Sequence, residues 1–372
     1  MAKGGAIAHS SFGVTWRTRM SDLNSLFSRQ QFFAPIKDLS ALRRTLQALP
    51  AGDENAASTA AAREEILTKP PGSLGRLEEI VAWLARWQGR YPPVMDDPQV
   101  CVFAGNHGVA EAGVSAYPPV VTEQMVQNFE RGGAAINQLS AELGAKVTVV
   151  PLELAHPVNN FLHAPAMSER EFLGAFQSGM LAVRPGASIL CPGEMGIGNT
   201  TAASAICFAL LGGEPADWCG RGSGIPIGML ERKIEVVSEA VRLHENAIVD
   251  GLDALRILGG REIAAMAGSI VAARLLRVPV MLDGFICSAA ALALHCSGPG
   301  GLAHCMVGHS SMEPGHRRLL AHLGLRPLLD LDLRLGEGTG AVLAALMARA
   351  ALRCHLGMAT FAEAGVHSGI ER

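Results

Sequence analysis

Helical periodicity dominates the first part of the sequence, upstream of Pro92. Apolar residues recur at helical spacing near Leu39 and over residues 57–67, which predicts two helices there. The segment KPPGSLG (69–75) interrupts the pattern, because its two prolines and two glycines cannot continue a helix. A further amphipathic helix is predicted over residues 76–87, with one face formed by Leu77, Ile80, Val81 and Leu84.

After Pro92, short apolar runs rich in β-branched residues alternate with longer helical stretches. Most of these runs end in a turn that contains glycine. Strand, glycine turn and helix in repetition predict an α/β fold, a parallel sheet with helices on both faces. The predicted strands cover residues 100–104, 146–154, 188–191, 278–282 and 304–307.

The turns that follow the strands are the predicted ligand site. Ligands of open parallel sheets bind beyond the carboxyl ends of the strands, so these turns should converge on one crevice. The helices at the two ends of the chain have no strands to alternate with. We therefore expect a small helical domain, formed by residues 35–90 together with 341–372, beside a parallel-sheet catalytic domain over residues 91–340.

Composition excludes several classes of protein. The chain of 372 residues is 49% hydrophobic, and its net charge of -3 provides no basic field for nucleic acid. No run approaches the roughly 18 to 20 uninterrupted apolar residues of a membrane span. The eight cysteines form no C-x-x-C pair, which indicates free thiols in a reducing compartment and no metal site.

The first 34 residues carry several basic residues and serines before their first acid, Asp22. This composition is weakly similar to a transit peptide. A start site placed too early, with Met20 as the second candidate, explains it equally well. We treat residues 1–34 as a dispensable extension and expect a cytoplasmic protein.

A single acid among glycines, Glu337 in LGEGTG (335–340), is the strongest candidate for catalysis. The alanine-rich run over residues 341–352 predicts a helix directly behind it. The helix dipole favours an ionised carboxylate at that end, so Glu337 is predicted to be a charged general base. The alternative is a helix cap with an incidental acid.

Two glycine-rich loops are candidates for phosphate binding. Residues 193–201 lie between a predicted strand and a helix over residues 202–211, where free amides and threonine hydroxyls suit a phosphate. Residues 220–224 place Arg221 beside a second group of glycines. The alternative is two ordinary loops. Neither loop matches the P-loop or the dinucleotide fingerprint, which disfavours a P-loop nucleoside triphosphatase and a dehydrogenase.

Three further residues follow predicted strands. His107 is a candidate catalytic group, although a structural hydrogen bond is the more common role of a loop histidine. Ser311 is better suited to a phosphate contact than to nucleophilic attack, because no G-x-S-x-G turn surrounds it. Asp283 is a candidate for binding a sugar hydroxyl, with an ordinary turn aspartate as the alternative.

In order along the chain, these motifs resemble one family, the nicotinate-nucleotide–dimethylbenzimidazole phosphoribosyltransferases of cobalamin lower-ligand synthesis. The similarity extends from about Lys69 to Phe361. The segments that carry it are KPPGSLG (69–75), GNHGV (105–109), GVSAYP (113–118), RGGA (131–134), residues 193–201 and 220–224, LDGF (282–285) and RLGEGTG (334–340).

The resemblance implies transfer of 5-phosphoribose from nicotinate mononucleotide to 5,6-dimethylbenzimidazole, with inversion at the anomeric carbon. It also implies a Rossmann-like sheet domain with a small helical domain, a homodimer and no organic cofactor. By position, Glu337 matches the catalytic base and Glu194 a second active-site glutamate. Nucleotide-binding positions are Gly196, Asn199, Thr200, Gly222, Ser223, Lys233, Asp283 and Ser311, and base-binding positions are Tyr117, Gln124, Met125 and Leu335.

The sequence departs from the family pattern at a few positions. Asn106 replaces a frequent Asp, Ser223 replaces a frequent Thr, and residues 151–156 differ from the usual Asp-Val-Gly. Two alternatives stay open. In the first alternative, the chain transfers phosphoribose to another acceptor, such as adenine or a phenol. In the second, it is a non-catalytic subunit that binds the nucleotide and stabilises a paralogous partner.

Overall fold

A six-stranded parallel sheet forms the centre of the computed structural model, which describes Phe33 and residues 35–222, 224–298 and 300–367. The strand order is β2-β1-β3-β4-β5-β6, and every neighbouring pair is parallel. The predicted α/β fold with a parallel sheet is confirmed. The strands are β1 Pro98–Ala104, β2 Val147–Pro151, β3 Ile189–Met195, β4 Val280–Leu282, β5 Cys305–His309 and β6 Pro327–Leu329.

Helices connect the strands and cover the sheet. Several begin at a polar side chain that accepts a backbone N–H, as Asp38 does from Ala41 and Asp53 from Ala56. The helices are α1 Leu39–Gln47, α2 Glu54–Glu64, α3 Arg76–Gln88, α4 Val120–Arg131, α5 Ala135–Glu142, α6 Glu169–Ala182, α7 Asn199–Leu211, α8 Pro215–Trp218, α9 Ile227–His244, α10 Gly251–Leu258, α11 Arg261–Leu275, α12 Phe285–His295, α13 Pro314–Leu323, α14 Thr339–Gly357 and α15 Phe361–Ala364.

The register of the strands aligns their carboxyl ends. Ala104 at the end of β1 pairs with Met195 at the end of β3 and with Pro151 at the end of β2. All residues of β1 are buried, as expected for a strand with a helix layer on each face. The aligned ends create the edge of the sheet at which side chains from different strands meet.

Two predicted strands extend further than their sequence indicates. β3 continues through Glu194 to Met195, and β5 continues to His309, although both ends contain glycine and polar residues typical of turns. Pairing with buried β1 explains the extension of β3. Conversely, β2 ends at Pro151 instead of 154, helix α7 begins at Asn199 instead of 202, and β6 lacked a recognisable pattern.

The helix α14 is the only one in the described part of the chain that is long and apolar enough to cross a membrane by length and composition. Its residues Ala341, Val342 and Ala345 are fully buried in one hydrophobic cluster with Val102 of β1 and Cys191 of β3. Half of its apolar stretch is buried inside the protein. These contacts are those of a core helix.

Helices from both ends of the chain pack together. Ala60 of α2, Leu84 of α3 and Ala348 of α14 belong to one buried cluster, which also contains residues of β1 and β3. The division into a helical domain (35–90 with 341–372) and a sheet domain (91–340) stays a prediction. The 1–34 extension apart from Phe33, and residues 368–372, lie outside the described residues.

Candidate active site

A cavity of about 440 Å³ lies at the carboxyl edge of the sheet. It is lined by Glu194 at the end of β3, by Gly284 after β4 and by His309 at the end of β5. The loop before α14 contributes Glu337. The predicted convergence of the turns after the strands on one crevice is therefore observed, and most of the predicted site residues lie around it.

Glu337 lies in a loop with an unusual backbone. Its φ is 63°, and the flanking Gly336 and Gly338 have φ values of 83° and 89°. A non-glycine residue with positive φ is strained, and such strain persists where surrounding contacts fix the chain. Here the contact is with β3, because a Cβ at Gly193 would overlap the carbonyl oxygen of Glu337.

Asp283 also holds this loop in place. Its Oδ2 accepts a hydrogen bond from the Gly338 amide at 3.1 Å, and its Oδ1 accepts one from the Ala341 amide at 3.0 Å. Asp283 is buried and does not line the cavity. Burial alone would raise its pKa, but His309 and the two amides hold that pKa below its usual value. Asp283 thus caps α14, in place of the predicted contact with a sugar hydroxyl.

The carboxyl group of Glu337 is buried at the predicted position, at the start of α14. Burial, followed by the negative charge of Asp283, raises its pKa to about 7, although a backbone hydrogen bond from Ile136 acts in the opposite direction. Burial thus opposes the helix dipole, which was expected to favour the ionised carboxylate of Glu337. Near neutral pH this group exchanges a proton readily, which is the property a general base requires.

Glu194 belongs to β3 and not to a turn. Its Oε2 accepts a short hydrogen bond from Asn199 Nδ2, at the start of α7. Burial, together with the negative charges of Asp283 and Glu262, raises the pKa of Glu194 to about 8. Near neutral pH the surroundings of Glu194 thus favour its neutral form far more than water does.

Lys233 provides a buried cation on the cavity. It is 1% exposed, and its Nζ donates hydrogen bonds to Thr200 Oγ1 and to the Gly220 carbonyl, both at 3.1 Å. Burial lowers its pKa, and the negative charge of Glu313 opposes that effect. Gly196, Asn199, Gly222 and Ser311 line the cavity with Lys233 and Thr200. The structure thus brings both predicted glycine loops to one buried cation.

The predicted base-binding residues are only partly on the cavity. Tyr117 and Leu335 line it and are 50% and 56% exposed, and Met125 lines it as well. Gln124 is exposed on α4 and does not line the cavity, because its neighbour Met125 occupies the inward position on the helix. Ser223 lies outside the described residues.

His107 does not line the cavity. Its Nε2 lies 2.5 Å from Glu262 Oε1, and both side chains are fully buried. Of the two roles open to His107, the geometry favours the structural hydrogen bond. Within the described residues, no group of three His, Cys, Asp or Glu side chains is arranged to hold a metal ion.

Four further residues with ionisable side chains line the cavity and were not assigned individually as site residues, although Arg221 belongs to the predicted phosphate-binding loop 220–224. Arg334 donates from Nη1 to the Gly222 carbonyl at 3.0 Å, which joins the Glu337 loop to the second glycine loop. The sequence could have indicated these four residues only by their position, since each lies beside a residue of a predicted motif. They are Arg221, His309, Glu313 and Arg334.

Comparison with known proteins identifies the family of the chain. A family model described as phosphoribosyltransferase matches residues 49–366. A nicotinate-nucleotide–dimethylbenzimidazole phosphoribosyltransferase from Mesorhizobium japonicum is 54% identical over 332 residues, which are 89% of this chain and 99% of the relative. The chain belongs to this family. The resemblance inferred from the sequence motifs is confirmed.

Other members of the nicotinate-nucleotide–dimethylbenzimidazole phosphoribosyltransferase family are similar to the chain in sequence and in fold. The protein of that name from Ruegeria pomeroyi is 55% identical over 334 residues, 90% of this chain and 99% of its own length. The crystal structure of CobT from Thermus thermophilus superimposes with a TM-score of 0.80 at 44% identity, over 85% of this chain and all of that one. The chain is thus a pentosyltransferase with the fold of this family.

Proposed function

We propose that this chain transfers the 5-phosphoribosyl group of nicotinate mononucleotide to 5,6-dimethylbenzimidazole, giving α-ribazole 5'-phosphate and nicotinate for the nucleotide loop of cobalamin. The observation that carries the proposal is one cavity with two chemically different parts. Glu337 and Glu194 supply carboxyl groups, and Lys233 with the two glycine loops supplies cationic and amide donors. A phosphorylated sugar that reacts at its anomeric carbon requires both.

The leaving group needs no proton from the protein. The nicotinate ring is a pyridinium in the donor, so the bond from its nitrogen to the anomeric carbon breaks with both electrons going to nitrogen, and the ring departs neutral. The anomeric carbon becomes oxocarbenium-like, as in glycoside transfer. Attack on the opposite face from the departing ring converts a β-linked donor into an α-linked product.

The acceptor does need a base. When one imidazole nitrogen bonds to the anomeric carbon, the ring must lose its N–H proton, and Glu337 is the proposed acceptor of that proton. Its pKa of about 7 leaves an appreciable ionised fraction at neutral pH. Glu194 is the proposed partner of the positive charge on the donor. A cationic ring or sugar beside it favours ionisation of this buried acid.

The other site residues have proposed roles that follow from their positions. Amides and hydroxyls of Gly196, Thr200, Gly222 and Ser311 hold the phosphate with Lys233. Asn199 orients Glu194 through its hydrogen bond. The base lies against the apolar side chains of Tyr117, Met125 and Leu335. The roles predicted for Gln124 and Ser223 stay predictions.

Two experiments test the function. A crystal soaked with nicotinate mononucleotide and 5,6-dimethylbenzimidazole should show the phosphate at Lys233 and the base at Glu337. A product assay with 5,6-dimethylbenzimidazole, adenine and a phenol in competition should give mainly the benzimidazole product. A different main product would identify another acceptor.

Gel filtration followed by a turnover measurement tests the remaining alternative. We propose a cytoplasmic homodimer that is active without a different, paralogous chain, and without a metal or an organic cofactor. A pure protein that binds the nucleotide but shows no turnover until a paralogous chain is added would contradict this proposal.

A further inference from the structure

Glu313 is a buried carboxylate on the cavity with no partner for one of its oxygens. It follows β5, precedes α13, and is 7% exposed while lining the cavity. No described residue donates a hydrogen bond to its Oε2. Glu313 occupies the N-cap of α13, but its side chain makes no capping hydrogen bond. A buried acceptor without a donor destabilises the fold, so such a group calls for an explanation.

An internal ion pair does not explain this carboxylate. Among the described residues, no basic side chain lies within 4.0 Å of it. Lys233 is nearby but donates to Thr200 and Gly220. Oε2 packs against Gly220, where any Cβ would overlap it. Gly220 thus contacts both groups, the Lys233 ammonium through its carbonyl and the Glu313 carboxylate through its Cα side.

The donors of the substrates indicate what the carboxylate of Glu313 binds where it lines the cavity. A phosphate dianion and the nicotinate carboxylate offer only acceptors, and the N–H of the benzimidazole is assigned to Glu337. The hydroxyl groups of the ribose are the remaining donors. The ribose joins the phosphate, proposed to bind near Lys233, to the anomeric carbon near Glu337, and Glu313 lines the same cavity as both residues. Carboxylates bind ribose hydroxyls in the same way in dinucleotide sites.

We propose that Glu313 accepts a hydrogen bond from a ribose hydroxyl of the mononucleotide and makes the enzyme selective for ribose over deoxyribose. The proposal rests on the proposed function, because it assumes that the mononucleotide occupies this cavity. A hydrogen bond to a charged group stabilises a complex strongly. Binding a deoxy analogue leaves the carboxylate buried without a donor, which weakens its complex.

The test measures equilibrium binding by calorimetry, without the acceptor base, so that altered reactivity of a deoxy sugar does not enter. The ligands are nicotinate mononucleotide and its 2'-deoxy and 3'-deoxy analogues. For the wild type we expect one analogue to bind about 10- to 100-fold more weakly than the ribonucleotide, the range of a charged hydrogen bond. Glu313→Ala should reduce that ratio to less than about threefold, and Glu313→Gln, which keeps an acceptor, should restore part of it.

Glu235→Ala is the matched control, since it removes an exposed carboxylate from α9 at 67% exposure and should leave all ratios unchanged. The proposal is overturned if the wild type binds all three ligands equally, or if Glu313→Ala keeps the wild-type ratio. It is also overturned if Glu313→Ala changes the affinity for all three ligands by the same factor, since Glu313 would then act only through the charge of Lys233. Failure of the wild type to bind the ribonucleotide at all would instead contradict the proposed function.

Discussion

Two buried carboxyl groups share one cavity, and burial raises the pKa of both. The pKa of Glu194 rises to about 8 through burial and the negative charges of Asp283 and Glu262, against the hydrogen bond from Asn199. The pKa of Glu337 rises to about 7 through burial and the negative charge of Asp283. Near neutral pH, Glu337 therefore keeps an appreciable ionised fraction that can accept a proton from a bound acceptor base.

The first prediction concerns Glu337 as the base. Glu337→Gln should keep the fold and the affinity for both substrates but lower turnover by about 10²- to 10⁴-fold, the usual contribution of a general base. In the wild type, kcat/KM should rise with pH through about 7 as Glu337 loses its proton. The variant should lack this rise. Turnover of the variant within a few-fold of wild type would show that another group takes the proton.

The second prediction is that Glu194 limits stability at alkaline pH. Its pKa is about 8 in the folded protein, whereas the ordinary value for this group is 4.5, so the folded state binds the extra proton between these values. The stability that this proton provides is fully present below about pH 4.5 and is lost as the pH rises through about 8. Glu194→Gln should therefore melt several degrees above wild type at pH 9 and near it at pH 5.

Glu239→Gln is the control for this measurement, because it removes an exposed carboxyl group. Its melting temperature should follow that of the wild type across the whole pH range. If the melting temperature of Glu194→Gln exceeds that of wild type by the same amount at pH 5 and pH 9, the added stability comes from packing and not from the proton.

The third prediction separates the two ends of the cavity. Lys233→Ala should weaken binding of nicotinate mononucleotide by about 10- to 100-fold, the range of a charge-assisted hydrogen bond, and leave benzimidazole binding almost unchanged. Arg232→Ala, which removes a neighbouring exposed cation, should change neither affinity measurably. If calorimetry shows that Lys233→Ala weakens the binding of both ligands equally, Lys233 has a structural role and does not bind the phosphate.

At the residue scale, the sequence predicts side chains that lie within a motif. Glu337 was identifiable because glycines flank it and a helix follows. Lys233 was assigned by resemblance alone, because it lies within α9 and reaches Thr200, which is 33 positions earlier in the chain. The raised pKa values of Glu194 and Glu337 were also beyond the sequence, since they arise from burial and from Asp283, which is distant along the chain.

At the scale of elements, the loop before α14 is fixed by its contact with β3. The backbone of Gly193 lies directly against the carbonyl of Glu337 and the amide of Gly338. The glycine of β3 is therefore required by the neighbouring loop and not by a turn. The sequence pattern predicted the order of strands and helices along the chain, but it placed this glycine in a turn because strand interiors seldom contain one.

The fourth prediction tests this contact. Gly193→Ala should displace the Glu337 loop, because its Cβ would overlap the Glu337 carbonyl, and a shift of about 1 Å at a reacting group can lower the rate by about 10²-fold. Gly174→Ala in α6 is the matched control, since no atom lies within 4 Å of its Cβ position, and its turnover should equal that of wild type. Wild-type turnover of Gly193→Ala would show that the loop adjusts without cost.

At the scale of the whole molecule, a buried polar network joins both ends of the described chain. Lys69 Nζ contacts Glu64 Oε2 at 3.1 Å and Glu78 Oε1 at 2.7 Å. Glu64 Oε1 lies 2.5 Å from Nδ1 of His355 in α14. Burial would lower the pKa of Lys69, but the two carboxylates raise it. The KPPGSLG segment, which sequence analysis identified as a helix break and as a family motif, thus carries the central cation of this network.

The fifth prediction is that Lys69 stabilises the fold through this network. Lys69→Met leaves the buried carboxylate of Glu64 and the partly buried carboxylate of Glu78 without their cation. Removing one partner of a buried ion pair costs about 3–5 kcal/mol. Urea unfolding should show a loss of that size, whereas Lys146→Met, at an exposed position, should change stability by less than about 0.5 kcal/mol.

A triple variant separates the charge of this network from its packing. Adding Glu64→Gln and Glu78→Gln to Lys69→Met should recover part of the loss, because no charge then remains unpaired. The side-chain amide that replaces the Glu64 carboxylate can still accept a hydrogen bond from His355. A loss below about 1 kcal/mol for Lys69→Met, or no recovery in the triple variant, would show that packing alone joins the two ends of the chain.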